Sequence, residues 1–259
     1  MNLEGRRVPD VTFMIRRAGE LVPVSSRDLF GTGTVVAFAL PGAFTPTCSS
    51  AHLPRFADLA PVFRAHGVDD ILCIAVNDPF VMEAWSAQQG IDAITFVPDG
   101  NAAFTRELGM LIDQSAKGLG MRSRRYAFVA RAGTIEHAFV EPEQEGDPYS
   151  VSDADTVLAA VAPRAKVPAD VVLFTRAGCR FCLRARRLLA ERGIPFEEMP
   201  AGLRVLRAVS GRQSTPQVFI DGHAIGGCDD LERWLAAHGD ASHEAGRHAP
   251  PAPVAEQPA

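Results

Sequence analysis

The stretch TVVAFALPGAFTPTCS, residues 34–49, runs from an apolar segment through a proline-bounded loop to a cysteine. Its first part, Thr34–Leu40, has the continuous apolar character of a strand that is buried on both faces. Cys48 follows the loop, and Pro54 can occupy the first position of a helix. The order predicts a strand–loop–helix unit in which amide N–H groups at the helix start stabilise a thiolate. A buried structural cysteine at this junction is the alternative.

Comparable strand and helix patterns continue on both sides of this unit. Further buried strands are predicted at 11–15, 71–76, 94–97, 126–130 and 135–140, and helices at 54–65, 79–89, 101–108 and 153–161. Ser152 is the expected cap of the last helix. The alternation predicts an α/β domain.

Residues 170–238 repeat the alternation in a shorter form. Strands are predicted at 171–174, 196–198, 217–220 and up to residue 225, and helices at 180–192, 202–209 and 229–237. The β-α-β-α-β-β-α order is that of a thioredoxin-type fold. Cys179 and Cys182 form a CxxC motif between the first strand and the first helix, where the thiolate of the first cysteine is favoured. A zinc site completed by Cys228 and His223 is the alternative, although these two do not form a second close pair.

Length and charge divide the 259 residues into two folded domains. Residues 1–162 carry a net charge of −7, residues 163–238 carry +4, and residues 239–259 carry −2. The sign of the net charge changes at residues 163–168, a segment with proline at both ends. We therefore predict a first domain at 1–162, a linker at 163–169, a second domain at 170–238 and a disordered tail at 239–259.

Composition excludes several classes of protein. With 47% hydrophobic residues the chain can bury a core, and no apolar run approaches the roughly 20 residues of a transmembrane helix. The arginines of the second domain are scattered without interleaved aromatic residues, so no nucleic-acid partner is expected. Five sparse cysteines and the absence of an apolar segment near Met1 indicate a cytoplasmic protein without a membrane partner.

The segment PGAFTPTCS, residues 41–49, resembles the active-site segment of peroxiredoxins of the peroxiredoxin-five type. Supporting similarity extends over residues 3–160 and includes His52-Leu53-Pro54, Val76-Asn77-Asp78 and Arg124-Arg125-Tyr126. The resemblance implies an elaborated thioredoxin fold whose peroxidatic nucleophile is Cys48. It also implies that Thr45 hydrogen-bonds the sulfur and the peroxide and that Pro41 shields the pocket. Arg125 corresponds to the active-site arginine of the family; without the resemblance it would be read as a solvated member of a basic run.

One departure from the family is informative. Members that resolve their own sulfenic acid carry a late cysteine, but residues 141–161 contain none. Cys73 lies in a predicted buried strand and is interpreted as a core residue. The first domain therefore resembles a one-cysteine peroxidase that reduces hydrogen peroxide and alkyl hydroperoxides and needs an external thiol. The family also implies a homodimer or a higher homo-oligomer.

Residues 170–238 resemble glutaredoxins, on the CxxC motif together with TPQVFIDG at 215–222 and IGGCDDL at 225–231. The resemblance implies a cis peptide bond before Pro216, which presents the backbone of Thr215 to glutathione. The remaining contacts that it implies are Gly227, Cys228 and Asp229 with the γ-glutamyl end and Arg176 with the glycine carboxylate. Arg180 departs from the proline usual in the family. Glutathione is thus expected as co-substrate, with no metal or prosthetic group.

Together the two resemblances predict two thioredoxin-fold domains in tandem, an elaborated peroxiredoxin and a small glutaredoxin. The predicted activity is a glutathione-dependent thiol peroxidase in which Cys48 is oxidised and Cys179, assisted by Cys182, recycles it. The alternatives are a peroxide-sensing thiol relay that oxidises or deglutathionylates client proteins, and a general deglutathionylase with a vestigial peroxidase domain.

Overall fold

The structure is a computed structural model that describes residues 2–17, 19–143, 147–238 and 242–245. It divides into two compact units, one up to Ala165 and one from Lys166 onward. Each unit has its own sheet and its own apolar core.

The first unit contains nine strands and five α-helices among its described residues. The strands are β1 (Thr12–Arg17), β2 (Glu20–Ser25), β3 (Thr34–Leu40), β4 (Asp70–Ala75), β5 (Thr95–Pro98), β6 (Leu111–Asp113), β7 (Met121–Ser123), β8 (Tyr126–Arg131) and β9 (Thr134–Val140). The helices are α1 (Ser26–Phe30), α2 (Leu53–Ala65), α3 (Pro79–Gln89), α4 (Ala103–Leu108) and α5 (Ala154–Val161). A π-helical turn spans Cys48–His52, and a 3-10 turn spans Ser115–Lys117.

The main sheet of this unit has the strand order β5-β4-β3-β8-β9. Strands β3, β4 and β5 are parallel, whereas β8 pairs antiparallel with β3 and β9 antiparallel with β8. Every residue of β3 is buried, which explains its uninterrupted apolar sequence at the centre of the sheet. The loop that carries Cys48 leaves the carboxyl end of this central strand.

The sequence predicted the long buried elements better than the short ones. Strand β3 has the predicted bounds, and α2 to α5 agree within two residues. The hairpin strand β2, the short pair β6–β7 and helix α1 were not predicted, because three to six residues carry little periodicity. The cap of α5 is Asp153 and not Ser152, whose hydroxyl donates to Glu141 instead.

The second unit has a four-stranded sheet in the order β12-β11-β13-β14. Its strands and helices are β10 (Lys166–Pro168), β11 (Val171–Thr175), α6 (Arg180–Ala190), β12 (Glu197–Pro200), α7 (Leu203–Ser210), β13 (Gln217–Ile220), β14 (His223–Gly226), α8 (Cys228–His238) and β15 (Ser242–Glu244). The β11–β12 pair is parallel and the other two pairs are antiparallel. The observed order β-α-β-α-β-β-α from β11 to α8 is the predicted one.

Two short strands correct the predicted linker and tail. Lys166–Pro168, inside the predicted linker, pairs antiparallel with Ser242–Glu244, inside the predicted disordered tail. Val167 and Ala245 are buried, and this burial supports the pairing. Periodicity could not predict it, because each strand has only three residues. The other residues of the predicted tail lie outside the described part of the chain.

Candidate functional site

Cys48 lies in the first unit where the chain passes from β3 into a helix. It is the first residue of the π-helical turn Cys48–His52, which continues directly into α2, and it is completely buried. The preceding loop is anchored by the amide of Ala43, which donates to the side-chain oxygen of Asn77 at 3.0 Å. Sequence order alone thus places the sulfur at a helix start, and tertiary contacts hold the loop.

The guanidinium of Arg125 lies against this sulfur. Its Nη1 atom is 3.6 Å from Cys48 Sγ and 2.9 Å from His52 Nδ1. Its Nη2 atom donates to both carboxylate oxygens of Asp147, at 2.5 and 2.6 Å, and Nε donates to the carbonyl of Pro148 at 3.1 Å. Burial opposes the charged form, but Cys48 and Asp147 outweigh it and raise the pKa of Arg125. The positive charge is therefore fixed beside the thiol.

The neighbouring arginines have different partners, so the basic run does not act as one solvated patch. Arg122 donates to the carbonyl of Val76 at 2.7 Å, and Arg124 forms an ion pair with Glu143. The side chain of Arg125 is only 1% exposed. The structure thereby brings together Cys48 and Arg125, which the sequence had singled out 77 positions apart.

His52 forms the other side of this cluster. Its Nε2 atom lies 3.0 Å from the carbonyl oxygen of Ser152, while Nδ1 faces Arg125. Burial first, and then the charge of Arg125, lower the pKa of His52 to about 3. The ring is therefore neutral at pH 7, with Nε2–H donating to Ser152 and Nδ1 accepting from Arg125. Its aromatic neighbours are Phe38, Phe56 and Tyr149.

Thr45 and Pro41 lie in the same loop as Cys48. The hydroxyl of Thr45 donates to the carbonyl of Gly42 at 2.9 Å, and its own carbonyl accepts from the amide of Ser49 at 3.1 Å. These bonds fix the loop around the cysteine. The expected contact of the Thr45 hydroxyl with sulfur and peroxide, and the shielding role of Pro41, stay predictions.

In the second unit Cys179 and Cys182 are joined by a disulfide bond. Cys179 caps α6, because its sulfur accepts from the amide of Cys182 at 3.2 Å. The hydroxyl of Thr215 lies 3.3 Å from the same sulfur, and the Thr215–Pro216 peptide bond is cis as expected. The motif is therefore a redox pair at the start of a helix with the cis-proline loop beside it.

Of the residues expected to bind glutathione, Thr215 and Arg176 contact Cys179. Arg176 is exposed directly after β11, and its carbonyl accepts from the amide of Cys179 at 3.2 Å. The amide of Gly227 donates to the carboxylate of Asp230 at 2.8 Å, so an internal acceptor occupies the predicted contact at Gly227. The amide must leave that acceptor, or share it, to bind a ligand carboxylate.

The start of α8 has one more feature that affects the expected contacts. The carboxylate of Asp229 forms an ion pair with Arg184 on α6, at 2.9 Å. Cys228, the first residue of α8, is 4% exposed, and burial raises its pKa. The raised pKa keeps the thiol of Cys228 protonated at pH 7, which suits a packing and contact residue more than a third working thiol.

Cys73 is completely buried in β4, as predicted. Burial, and to a smaller extent the nearby Cys48, raise the pKa of its thiol. It is thus neutral at pH 7 and a poor nucleophile.

Sequence reasoning missed three residues of the first site. His52 entered the resemblance only as part of the segment His52-Leu53-Pro54, and no role was predicted for it. Its position four residues after Cys48 on a helical turn places both side chains on one face. Asp147 and Glu141 carry no local signal, since they lie in and before a loop without periodicity. Among the residues described, no group of three or more His, Cys, Asp or Glu side chains could hold a metal ion. None of the helices in the described part is long and apolar enough to cross a membrane.

Comparison with known proteins gives matches for both units. The Redoxin family model matches residues 3–158 and the Glutaredoxin model residues 171–225. The hybrid peroxiredoxin hyPrx5 of Haemophilus influenzae is 49% identical over 91% of this chain and 99% of its own length. Peroxiredoxin sll1621 of Synechocystis is 49% identical over 59% of this chain and 88% of its own.

Solved structures resemble the first unit. Reduced Prx3 of Vibrio vulnificus in complex with hydrogen peroxide is 40% identical, with a TM-score of 0.59 over 62% of this chain and 99% of that one. The Plasmodium falciparum antioxidant protein, a 1-Cys peroxiredoxin, is 30% identical, with a TM-score of 0.59 over 61% of this chain and 97% of that one.

Proposed function

Because the chain belongs to the peroxiredoxins of the redoxin family and carries a glutaredoxin domain, we propose that it is a thiol peroxidase recycled by glutathione. In the first step the thiolate of Cys48 attacks one oxygen of hydrogen peroxide or an alkyl hydroperoxide. The O–O bond breaks, Cys48 becomes a sulfenic acid, and the leaving oxygen takes a proton to form water or an alcohol. Arg125 stabilises the negative charge that develops on the leaving oxygen.

The second half of the cycle returns Cys48 to the thiol. Glutathione condenses with the sulfenic acid and releases water, which leaves a mixed disulfide on Cys48. The thiolate of Cys179 attacks the glutathione sulfur, takes over the glutathionyl group and frees the Cys48 thiolate. A second glutathione then attacks this new disulfide, releases glutathione disulfide and regenerates Cys179. Cys182 serves as an auxiliary thiol or closes the disulfide with Cys179.

The juxtaposition of Cys48 Sγ and Arg125 Nη1 at 3.6 Å, with both residues buried, carries this proposal. The redox pair at the start of α6 supports the recycling step, and the hybrid relative from Haemophilus influenzae combines both domains in one chain. The net charge of +4 in residues 163–238 suits glutathione, which is anionic at neutral pH. We further propose a cytoplasmic location, where reduced glutathione is abundant, and assembly as a homodimer or a higher homo-oligomer.

The test is a coupled assay of the full chain with hydrogen peroxide and glutathione, followed through the formation of glutathione disulfide. We expect Cys48→Ser to abolish peroxide consumption. Cys179→Ser should permit one rapid oxidation of Cys48 per chain but no sustained turnover. Cys73→Ser is the matched control, because a buried neutral thiol outside the cycle should leave the rates unchanged within about twofold.

Three outcomes contradict the proposal. Substantial peroxide turnover by Cys48→Ser would remove Cys48 from its assigned role. Full turnover of Cys179→Ser with glutathione alone would show that the second domain is not the reductant. Single-turnover oxidation of the unaltered chain, with disulfides trapped to other proteins, would favour the peroxide-sensing relay.

A further inference from the structure

The Nη1 atom of Arg125 contacts two neighbouring side chains at once. It lies 3.6 Å from Cys48 Sγ and 2.9 Å from His52 Nδ1, and both residues are completely buried. We propose that His52 is a positioning residue of the peroxidase, whose neutral ring holds the Arg125 guanidinium against the Cys48 sulfur. The inference rests on the proposed roles of Cys48 and Arg125 in peroxide reduction.

A neutral acceptor is the suitable group on this side of the guanidinium. Asp147 already binds the Nη2 edge, and its side chain is 39% exposed. A second carboxylate at the position of His52 would draw more of the arginine's charge away from the reaction centre. An imidazole nitrogen fixes the direction of Nη1 and leaves the positive charge available to the leaving oxygen.

The tautomer that this role needs is set from the opposite side of the ring. The Nε2 atom of His52 is 3.0 Å from the carbonyl oxygen of Ser152, so Nε2 carries the proton and Nδ1 is left as acceptor. The amide and hydroxyl of Ser152 both donate to Glu141, at 2.8 Å. Glu141 thus holds the carbonyl that orients His52.

The surroundings keep the ring neutral. The titratable or charged groups around it are Cys48 on its own turn, Arg125 directly before β8, Glu141 directly after β9, and Asp147 and Tyr149 in the following loop. Phe38 of β3 and Phe56 of α2 cover its remaining sides. Burial and the charge of Arg125 both disfavour the imidazolium, consistent with the pKa of about 3.

The test uses two substitutions at residue 52 in the full-length chain. His52→Leu removes both hydrogen bonds but keeps an apolar side chain among the aromatic rings. His52→Gln keeps one acceptor and one donor on a side chain of similar length. Val157→Ala, at a buried position of α5, is the control for lost packing.

The measurement is the second-order rate constant for oxidation of reduced Cys48 by hydrogen peroxide in a single turnover. The rate of Cys48 alkylation by iodoacetamide at pH 9 is measured in parallel, because alkylation needs the thiolate but no group at a leaving oxygen. We expect His52→Leu to lower the peroxide rate constant about 10- to 100-fold and the alkylation rate by less than threefold. His52→Gln should recover to within about fivefold of the unaltered chain, and Val157→Ala should match it.

The inference is overturned if His52→Leu reacts with peroxide as fast as the unaltered chain, or if its peroxide and alkylation rates fall by the same factor. Slow oxidation of the unaltered chain itself would instead contradict the proposed peroxidase function, so the two failures are distinguishable.

A measurement without substitution covers the case in which His52→Leu does not fold. Long-range 1H–15N spectra of the reduced chain, labelled with 15N-histidine, report which ring nitrogen carries the proton. We expect one histidine to stay neutral and protonated at Nε2 from pH 5.5 to 8, identified by its loss in His52→Gln. An Nδ1-protonated ring, or one that titrates in this range, would overturn the inference.

Discussion

At the scale of the residue, Glu141 shows how one buried carboxylate orders a loop. Its two oxygens accept five hydrogen bonds, from the amides of Ser150, Val151 and Ser152 and from both serine hydroxyls. Burial alone would raise the pKa of Glu141, but these donors outweigh it and lower the pKa below the ordinary 4.5. The charged form therefore stabilises the fold.

This argument predicts a pH-dependent effect of Glu141→Gln. At pH 7 the substitution should lower the free energy of unfolding by about 2 kcal/mol, because a neutral amide accepts more weakly and brings donors into the place of an acceptor. The folded-state pKa is the lower one, so the stabilisation is complete well above pH 4.5 and is lost as the pH falls through the folded value. Urea denaturation at several pH values measures the difference.

The matched control is Glu143→Gln, since the side chain of Glu143 is 81% exposed and pairs only at the surface with Arg124. Its effect should stay below about 0.5 kcal/mol. A difference for Glu141→Gln that does not shrink in acid would contradict the role given to its charge.

At the scale of the element, the two cysteines proposed to react, Cys48 and Cys179, occupy helix starts of different kinds. Cys48 opens a π-helical turn that runs into α2, whereas Cys179 is itself the cap of α6. In both cases a strand at the centre of the sheet delivers the chain to the helix. Helix α5 lies on the other side of the first site. It begins directly after the loop that Glu141 holds, and Asp153 caps its start.

We predict that the Asp153 cap stabilises α5. The carboxylate accepts from the amide and the hydroxyl of Thr156, at 2.9 and 2.7 Å. Asp153→Ala leaves both donors without their partner and should cost about 1–2 kcal/mol of unfolding free energy, whereas Asp153→Asn retains a capping oxygen and should cost less than half as much. Urea denaturation of the two variants decides, and equal losses would show that capping is not the cause.

At the scale of the whole molecule, one chain joins a peroxiredoxin domain and a glutaredoxin domain of opposite net charge. The first unit has its apolar core around β3, and the second has its own around β11 and β13. Because one short segment joins the two units, Cys48 and the Cys179–Cys182 pair are tethered. For the proposed transfer between them, tethering gives an effective concentration on the order of millimolar.

The tether predicts how glutathione-supported turnover depends on protein concentration. Turnover per Cys48 should stay constant within about twofold when the enzyme is diluted from micromolar to nanomolar concentration, because transfer within one assembly does not depend on encounter. An equimolar mixture of Cys48→Ser and Cys179→Ser chains separates the reactive pair and serves as the comparison. A turnover number of the unaltered chain that falls in proportion to dilution would contradict transfer within the assembly.

Much of the fold could be predicted because its long buried elements have recognisable apolar patterns in the sequence. The apolar run of β3 and the helical spacing in α2 and α6 follow from burial on regular structure, and the bounds agree closely. The pairing of β10 with β15 could not be predicted, since its partners lie about 75 residues apart and each is three residues long. The cap of α5 was predicted wrongly as Ser152: Asp153 and Ser152 are both good capping residues, and only their other contacts distinguish them.

The sequence by itself determined the two families to which the chain is related, because Cys48, Cys179 and Cys182 stand at strand-to-helix junctions in strings specific to those families. Only the tertiary structure decided which side chains surround the thiol of Cys48. His52, Arg125, Asp147 and Glu141 meet around it from a helical turn, two strand ends and a loop. The physical reason is range: local sequence sets helix starts and burial, whereas the hydrogen bonds that orient the Arg125 guanidinium and its partner His52 join groups 22 to 100 residues apart.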